Sequence, residues 1–189
     1  VVGGDSISLR GKTDKGGEKA EGHFLPRTKK DIYNDAYLSF DFAMRNSIFT
    51  EVGPLTNTTK DAFSGFLQFL QSCLPPSFGL QKMISELVEN IDTIVQSEED
   101  LLKIVDKHPP KKKSWSRACT RGDPLAGYTC GLWELFHIMS VGFVEWNNFV
   151  IGDDWSYYRP DEAAEMLRNF IEQFFGCEVC RMNFLHAYE

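Results

Sequence analysis

The sequence predicts an all-α protein, a bundle of helices. Through most of residues 28–189, apolar residues recur every three or four positions, which is the spacing of one helix face. No stretch alternates apolar and polar residues in the way of a half-buried strand. Proline, glycine and short polar runs separate the periodic segments, so we expect each segment to form one helix of the bundle.

The composition excludes several classes of protein. At 189 residues and 42% hydrophobic content, the chain is long enough for one or two cores. A net charge of −7 argues against nucleic-acid binding. No run approaches the roughly 18 apolar residues that a membrane span needs. The sequence starts at Val1 rather than methionine, so a signal peptide or upstream domain would lie outside it.

The first element predicted after an unstructured segment is a long helix. Residues 1–27 are rich in Gly, Lys, Asp and Glu and predict a flexible tail or linker. Thr28 is a suitable N-cap, with Asp31 three residues later to complete a capping box. The apolar face of this helix comprises Ile32, Tyr33, Ala36, Tyr37, Phe40, Ala43 and Met44.

Three more helices are predicted before residue 106. Gly53-Pro54 ends the first pattern, and Pro75-Pro76 ends the second helix. Ser77 is expected to cap a third helix and Ser97 a shorter fourth. The apolar face of the second helix comprises Phe63, Phe66, Leu67, Leu70, Cys73 and Leu74.

The cysteines and one sequon bear on the compartment. There are five cysteines, an odd number that leaves at least one outside any intrachain bridge. Cys73 lies on an apolar helix face, so we expect a buried free thiol rather than a redox group. Asn57 begins an Asn-Thr-Thr glycosylation acceptor, which weighs slightly towards an oxidising compartment.

Residues 106–129 predict a loop because they combine His108-Pro109-Pro110, three lysines and a Gly-Asp-Pro sequence. Cys119 and Cys130 bracket the second half of it. A bridge between them would close a loop of 11 residues and stabilise the fold by roughly 2–3 kcal/mol. We expect this bridge to be structural.

A further helix starts at Cys130 and carries Trp133 and His137. These two side chains share a face because they are four residues apart. From spacing alone the pair is best explained by core packing, with the histidine bonded to a backbone carbonyl. The alternative is an aromatic wall with one polar donor, which suits a planar ring cofactor.

The last helices meet at Cys177-Glu178-Val179-Cys180. After a polar segment at 152–154, Pro160 and Asp161 are expected to open a helix that runs to the Phe174-Phe175 pair. Gly176 is expected to close that helix in the left-handed conformation, so that the Cys-x-x-Cys opens the next one. Amide groups at a helix N-terminus favour a thiolate, and two cysteines at i and i+3 can bridge.

Four interpretations of this cysteine pair compete. A zinc site needs four ligands, and only His186 follows nearby. A thioredoxin-type motif should follow a strand, whereas a helix is predicted here. A purely structural bridge would close too short a loop to stabilise much. A reactive dithiol on a helical scaffold agrees best with the residues, and no metal is expected.

Two motifs together resemble a known family. Gly-Tyr-Thr-Cys-Gly-Leu-Trp-Glu-Leu-Phe-His at 127–137 precedes Phe-Phe-Gly-Cys-Glu-Val-Cys-Arg-Met-Asn-Phe at 174–184. Both, in this order, resemble the quiescin sulfhydryl oxidases of the Erv/ALR flavoprotein class. The resemblance implies that residues 119–189 form the N-terminal part of an Erv/ALR-like four-helix bundle. It also implies that residues 28–118 form a helix-rich region, a degenerate copy of that bundle.

The implied function is an FAD-dependent sulfhydryl oxidase that forms disulfides in client protein thiols and reduces oxygen to hydrogen peroxide. Cys177 would exchange with the incoming disulfide or thiol, and Cys180 would lie against the flavin ring as a charge-transfer thiolate. Cys119–Cys130 would be the structural bridge of the family. The FAD site would be lined by Trp133, His137, Val179 through its backbone, and Asn183.

The implied partners are thiol-bearing client proteins, reached through thioredoxin-like domains that this chain lacks, and the implied compartment is the secretory pathway. Asn183 stands where the family usually has histidine, and Ala126 where it has arginine. The resemblance also implies a further segment after Glu189. The alternative function is a non-catalytic helical interaction module, a truncated relative that keeps the bundle and the disulfides.

Overall fold

The computed structural model describes residues 27–120, 124–149 and 158–189, and within these ranges the protein is entirely helical. The described residues form nine helices. They are α1 Lys29–Asn46, α2 Asn57–Cys73, α3 Gln81–Glu89, α4 Ile91–Ile94, α5 Glu98–Val105, α6 Arg117–Thr120, α7 Pro124–Phe149, α8 Pro160–Phe174 and α9 Glu178–Tyr188. The predicted all-α class is confirmed.

Local signals place several helix ends where the sequence predicts them. Thr28 caps α1 in a capping box with Asp31, and Ser97 accepts a hydrogen bond from the Asp100 N–H at the start of α5. Pro160 is the first residue of α8, where its missing N–H costs nothing because that group would be unpaired anyway.

Three helix starts differ from the prediction, and one of them belongs to α6, Arg117–Thr120, which lies within the residues predicted as a loop. Ser77 does not cap α3, since that helix begins at Gln81 after two turns and Leu80 stands at its N-cap without a side-chain hydrogen bond. Residues 124–129, predicted as loop, are the first turns of α7. Proline, here Pro124, fits a turn and the first position of a helix equally well. The local sequence pattern therefore does not distinguish a loop from a helix start at this point.

The hydrophobic core runs through both predicted regions, 28–118 and 119–189. α2 contacts α3, α7 and α8, while α1 packs along α7. Phe66 of α2 stacks on Phe170 of α8 with ring centroids 3.7 Å apart, and both rings are fully buried. Burial of each such ring contributes about 1.5–3 kcal/mol.

α7 approaches its neighbours closely at its glycines. A Cβ at Gly127 would lie 2.6 Å from the Trp115 ring, and one at Gly131 would overlap the Asp35 carbonyl oxygen. This close approach places the start of α7, with Cys130 and Trp133, directly over α1.

Arg27 belongs to this fold although the sequence places it in the tail. Its guanidinium forms ion pairs with Asp35 of α1 and Glu134 of α7. Burial lowers the pKa of this guanidinium, but its bonds to Glu134 and Asp35 outweigh burial and raise the pKa overall. The rest of the predicted tail, and the polar segment at 152–154, lie outside the described residues.

Candidate functional site

The Cys-x-x-Cys lies in the short connection between α8 and α9. α8 ends at Phe174, and Phe175 then takes an extended conformation with φ −77° and ψ 108°. Cys177 is the N-cap of α9, and its Sγ accepts a hydrogen bond from the Cys180 N–H at 3.3 Å. The predicted start of a helix at the cysteine pair is confirmed.

The predicted role of Gly176 is wrong. Among the described glycines only Gly53 has a positive φ, so Gly176 does not close α8 in the left-handed conformation. The chain leaves α8 through extended residues instead, which removes the need for a residue without a Cβ.

Cys177 and Cys180 form a disulfide, with their Cα atoms 5.2 Å apart. Both residues are half-buried, and they pack against the edge of the hydrophobic core. If the bridge is reduced, the free amides of the first turn of α9 and the positive end of its dipole favour a thiolate at this position. The site therefore offers a sulfur pair that solvent and a thiol can reach.

Trp133 of α7 lies beside this connection. Its ring centroid is 5.8 Å from that of Phe175 and 5.9 Å from that of Phe184 of α9. The side chain is nevertheless 38% exposed, so part of the indole is open to solvent. Trp133 thus joins α7 to the segments on both sides of the disulfide.

His137 lies one turn further along α7 and is exposed. The explanation of the Trp133–His137 pair by core packing is therefore wrong for the histidine. The structure leaves an open face on α7 that combines an aromatic ring and an imidazole.

The exposed side of α9 is apolar next to the disulfide. Val179 is 71% and Met182 is 59% exposed, and Asn183 is also exposed. No residue of α9 is fully buried. Sequence reasoning missed Met182, although its spacing of three residues from Val179 puts both on one side of the helix.

The second disulfide joins Cys119 of α6 to Cys130 of α7, with Cα atoms 5.4 Å apart. This is the expected pairing. Cys119 is 3% exposed, and an Arg27 nitrogen lies 3.6 Å from its Sγ. The bridge ties the first turns of α7 to the segment that precedes it.

The remaining residues that the sequence singled out are not part of the Cys177–Cys180 site. Cys73 is free and buried as expected, and burial raises the pKa of its thiol while the Ser72 hydroxyl opposes this. Asn57 is exposed at the first position of α2. Among the described residues, no group of three or more His, Cys, Asp or Glu could hold a metal ion.

A buried polar cluster where α1 meets the start of α7 was not predicted from the sequence. Asp35 is fully buried, and it accepts hydrogen bonds from Arg27 at 2.9 Å and from the Ser116 N–H at 2.7 Å. Trp115 Nε1 donates to Ser39 Oγ at 3.0 Å. No signal in the sequence marks these residues, because the pairs are far apart along the chain.

Fold and site together define an all-helical protein with a half-buried disulfide at a helix N-terminus. Within the described ranges, no helix has the length and apolar character that a membrane crossing requires. No protein-family profile matches the chain.

Comparison with curated proteins shows similarity to sulfhydryl oxidases. The chain is 32% identical over 76 residues to sulfhydryl oxidase 1 of Gallus gallus, covering 40% of this chain and 9% of that protein. It is 33% identical over 60 residues to sulfhydryl oxidase 2 of Mus musculus, covering 32% of this chain and 8% of that protein. The matched segment thus spans about a tenth or less of the curated relatives, and part of this chain is related in sequence to sulfhydryl oxidases.

Proposed function

We propose that this chain is part of an FAD-dependent sulfhydryl oxidase of the quiescin type, with Cys177 and Cys180 as its redox-active pair. The observation that carries the proposal is the Cys177–Cys180 disulfide at the start of α9, beside the exposed indole of Trp133. Similarity to sulfhydryl oxidases 1 and 2 supports it.

The chemistry proposed for the pair is thiol–disulfide exchange. A client thiolate attacks Cys177 Sγ, the bond to Cys180 breaks, and Cys180 leaves as a thiolate favoured by the α9 N-terminus. A second client thiol then displaces Cys177 and closes the client disulfide. The client loses two electrons and two protons, and the cysteine pair gains both electrons.

The residues around the bridge fit a planar ring cofactor. Trp133 exposes a flat aromatic surface, and Val179 and Met182 leave apolar side chains open beside the disulfide. Exposed apolar groups of this kind are stabilised when a ring covers them. Trp133, His137, Val179 and Asn183 would hold FAD, which when bound supplies the two-electron acceptor between the dithiol and oxygen.

The proposed partners are thiol-bearing client proteins and oxygen, with clients delivered through thioredoxin-like domains. The proposed compartment is the secretory pathway. The two disulfides suit an oxidising compartment, and Asn57 is exposed and accessible to glycosylation.

The test is thiol oxidation by the purified chain with FAD, dithiothreitol and oxygen, read as hydrogen peroxide release. We expect flavin absorbance in the protein, and turnover that falls by at least about a hundredfold in Cys177→Ser and Cys180→Ser, because both sulfurs belong to one bond. Cys73→Ala is the matched control, since Cys73 is buried and unbridged, and it should keep its turnover. A protein that binds no flavin and makes no peroxide would overturn the proposal.

The alternative is a non-catalytic helical interaction module. The exposure of Val179 and Met182 on α9 favours it, because exposed apolar groups also suit a protein partner. This module would be colourless and would keep an intact Cys177–Cys180 bridge when oxygen and thiols are supplied.

A further inference from the structure

Tyr128 packs against the segment that leads into the Cys177–Cys180 bridge. It lies in the second turn of α7 and is 9% exposed. Its ring centroid is 4.8 Å from that of Phe42 and 6.2 Å from that of Phe175. Phe175 is fully buried and stands two residues before Cys177. The Tyr128 ring therefore contacts the chain immediately before the disulfide.

The hydroxyl of Tyr128 is buried beside Gly176 and Ser47. A Cβ on Gly176 would lie 3.7 Å from Ser47 Oγ and 3.8 Å from Tyr128 Cε1, an ordinary contact distance, so the connection runs next to both side chains. Burial raises the pKa of the phenol, and the nearby Ser47 hydroxyl and Gly176 backbone oppose this. The hydroxyl oxygen nevertheless has no hydrogen bond of full geometry.

The α8–α9 connection, which Tyr128 contacts, has few backbone hydrogen bonds of its own. The Phe175 N–H donates to Ile171 and the Arg181 N–H donates to Cys177, whereas neither Gly176 nor Cys177 donates to a backbone carbonyl among the described residues. The position of Cys177 therefore depends on what the connection packs against.

Tyr128 itself is firmly held. The Cys119–Cys130 bridge anchors α7 two residues further on. One residue before Tyr128, Gly127 lies against the Trp115 ring, which is fixed by its hydrogen bond to Ser39. Tyr128 is thus a firmly held side chain that packs against the α8–α9 connection, which has few backbone hydrogen bonds of its own.

We infer that Tyr128, with Ser47, is a positioning residue that holds the α8–α9 connection so that Cys177 and Cys180 remain bridged. Packing of Gly176 on the phenol keeps the Cys177 sulfur close to that of Cys180. A fixed geometry raises the effective concentration of one thiol at the other and favours the disulfide. The inference rests on the proposed function, because it concerns the same redox pair.

The test is the equilibrium between the bridge and dithiothreitol, measured by alkylation of free thiols and mass spectrometry of the peptide that contains both cysteines. Each reduction gives two protons and two electrons to Cys177 and Cys180 and closes one dithiothreitol into its cyclic disulfide. In Tyr128→Leu, which removes the ring that packs against Phe175 and Gly176, we expect the bridge to be reduced about fivefold more readily, a shift of about 20 mV. Ser47→Ala should shift the equilibrium in the same direction.

Tyr37→Leu is the matched control. The Tyr37 hydroxyl donates to the His108 carbonyl at 2.6 Å, so this variant also loses a partly buried phenol ring, but away from the bridge. It should lower the melting temperature without moving the equilibrium.

An unchanged or opposite shift in Tyr128→Leu would overturn the inference, whatever its effect on melting temperature. Peroxide release by the unaltered chain is scored separately. Oxidase turnover without the shift refutes only the role of Tyr128, and the shift without turnover refutes only the oxidase.

Discussion

At the scale of single residues, Gly131 sets the distance between α7 and α1. A Cβ at this position would overlap the backbone oxygen of Asp35 and Ser39 Oγ. The Asp35 oxygen belongs to the α1 backbone and moves only with that helix. A side chain at 131 therefore has to separate two helices that together carry Asp35, Cys130 and Trp133.

We predict that Gly131→Ala lowers the free energy of unfolding by about 1–3 kcal/mol, because the overlap forces a backbone shift. Gly65→Ala is the control. Gly65 lies in the interior of α2, where a Cβ would be 3.8 Å from Met166 Cγ, an ordinary contact. Its replacement should be neutral or add up to about 1 kcal/mol through helix propensity. Denaturant unfolding of both variants measures the difference, and equal effects would contradict the overlap.

At the scale of helices, Arg27 connects α1, α6 and α7. Its guanidinium bonds Asp35 at 2.9 Å, pairs with Glu134, and lies 3.6 Å from Cys119 Sγ. Asp35 is fully buried, so the loss of its cation would leave a buried carboxylate with only the Ser116 bonds. Removal of one partner of a surface ion pair leaves no buried charge without its partner, so it costs little.

Arg27→Gln should therefore lower the free energy of unfolding by about 1–3 kcal/mol. Arg45→Gln removes a more exposed arginine that pairs with Asp41 and Asp106, and it should cost less than about 1 kcal/mol. Thermal or denaturant unfolding of the two variants provides the comparison. If Arg45→Gln lowered the free energy of unfolding as much as Arg27→Gln, the burial of the Arg27–Asp35 pair would not explain the loss.

A second contact between elements depends on pH. Hydrogen bonds from Lys107 and from His108, at 2.7 Å, hold the pKa of Glu86 on α3 below its usual 4.5. Because the folded-state pKa is lowered, the stabilisation is present above the unfolded-state pKa and is lost as pH falls through the folded-state value. We expect the melting temperature of the unaltered chain to exceed that of Glu86→Gln at neutral pH, with the gap closing in acid. A gap independent of pH would contradict this.

Helix ends set by neighbouring residues were predictable from the sequence, and those set by packing were not. Thr28, Ser97 and Pro160 begin helices through local bonds or a fixed φ. The sequence predicts a loop over residues 124–129 because Pro124 and Gly127 break local patterns. In the fold Gly127 lies within α7 and packs closely against the Trp115 ring, a contact that the local sequence pattern does not reveal.

At the scale of the whole molecule, the sequence predicted the all-α class and the cysteine pair at a helix start, but not how the helices dock. The contact of α1 with α7 depends on buried groups far apart in sequence, such as Asp35 and Ser116. The exposure of Val179 and Met182 was equally unpredictable, because the apolar residues of α9 do not lie on one face of the helix and none of them is fully buried. The roles of Trp133 and His137 in cofactor binding stay predictions.

The two disulfides should respond differently to reduction, because they differ in burial and in the loop they close. Cys119 is 3% exposed, and its bridge closes a loop of 11 residues, which is expected to stabilise by about 2–3 kcal/mol. Cys177 and Cys180 are half-buried and only three residues apart, so their bridge constrains little of the unfolded chain.

Mild reductant should therefore open Cys177–Cys180 first and leave the helical circular dichroism unchanged. Replacing Cys119 and Cys130 by alanine should lower the melting temperature by roughly 5–10 °C, whereas replacing Cys177 and Cys180 should change it little. Alkylation and peptide mass spectrometry across a reductant series give the order of opening. Earlier opening of Cys119–Cys130 would mean that burial beside Arg27 does not protect it, and that the bridge at α9 is the structural one.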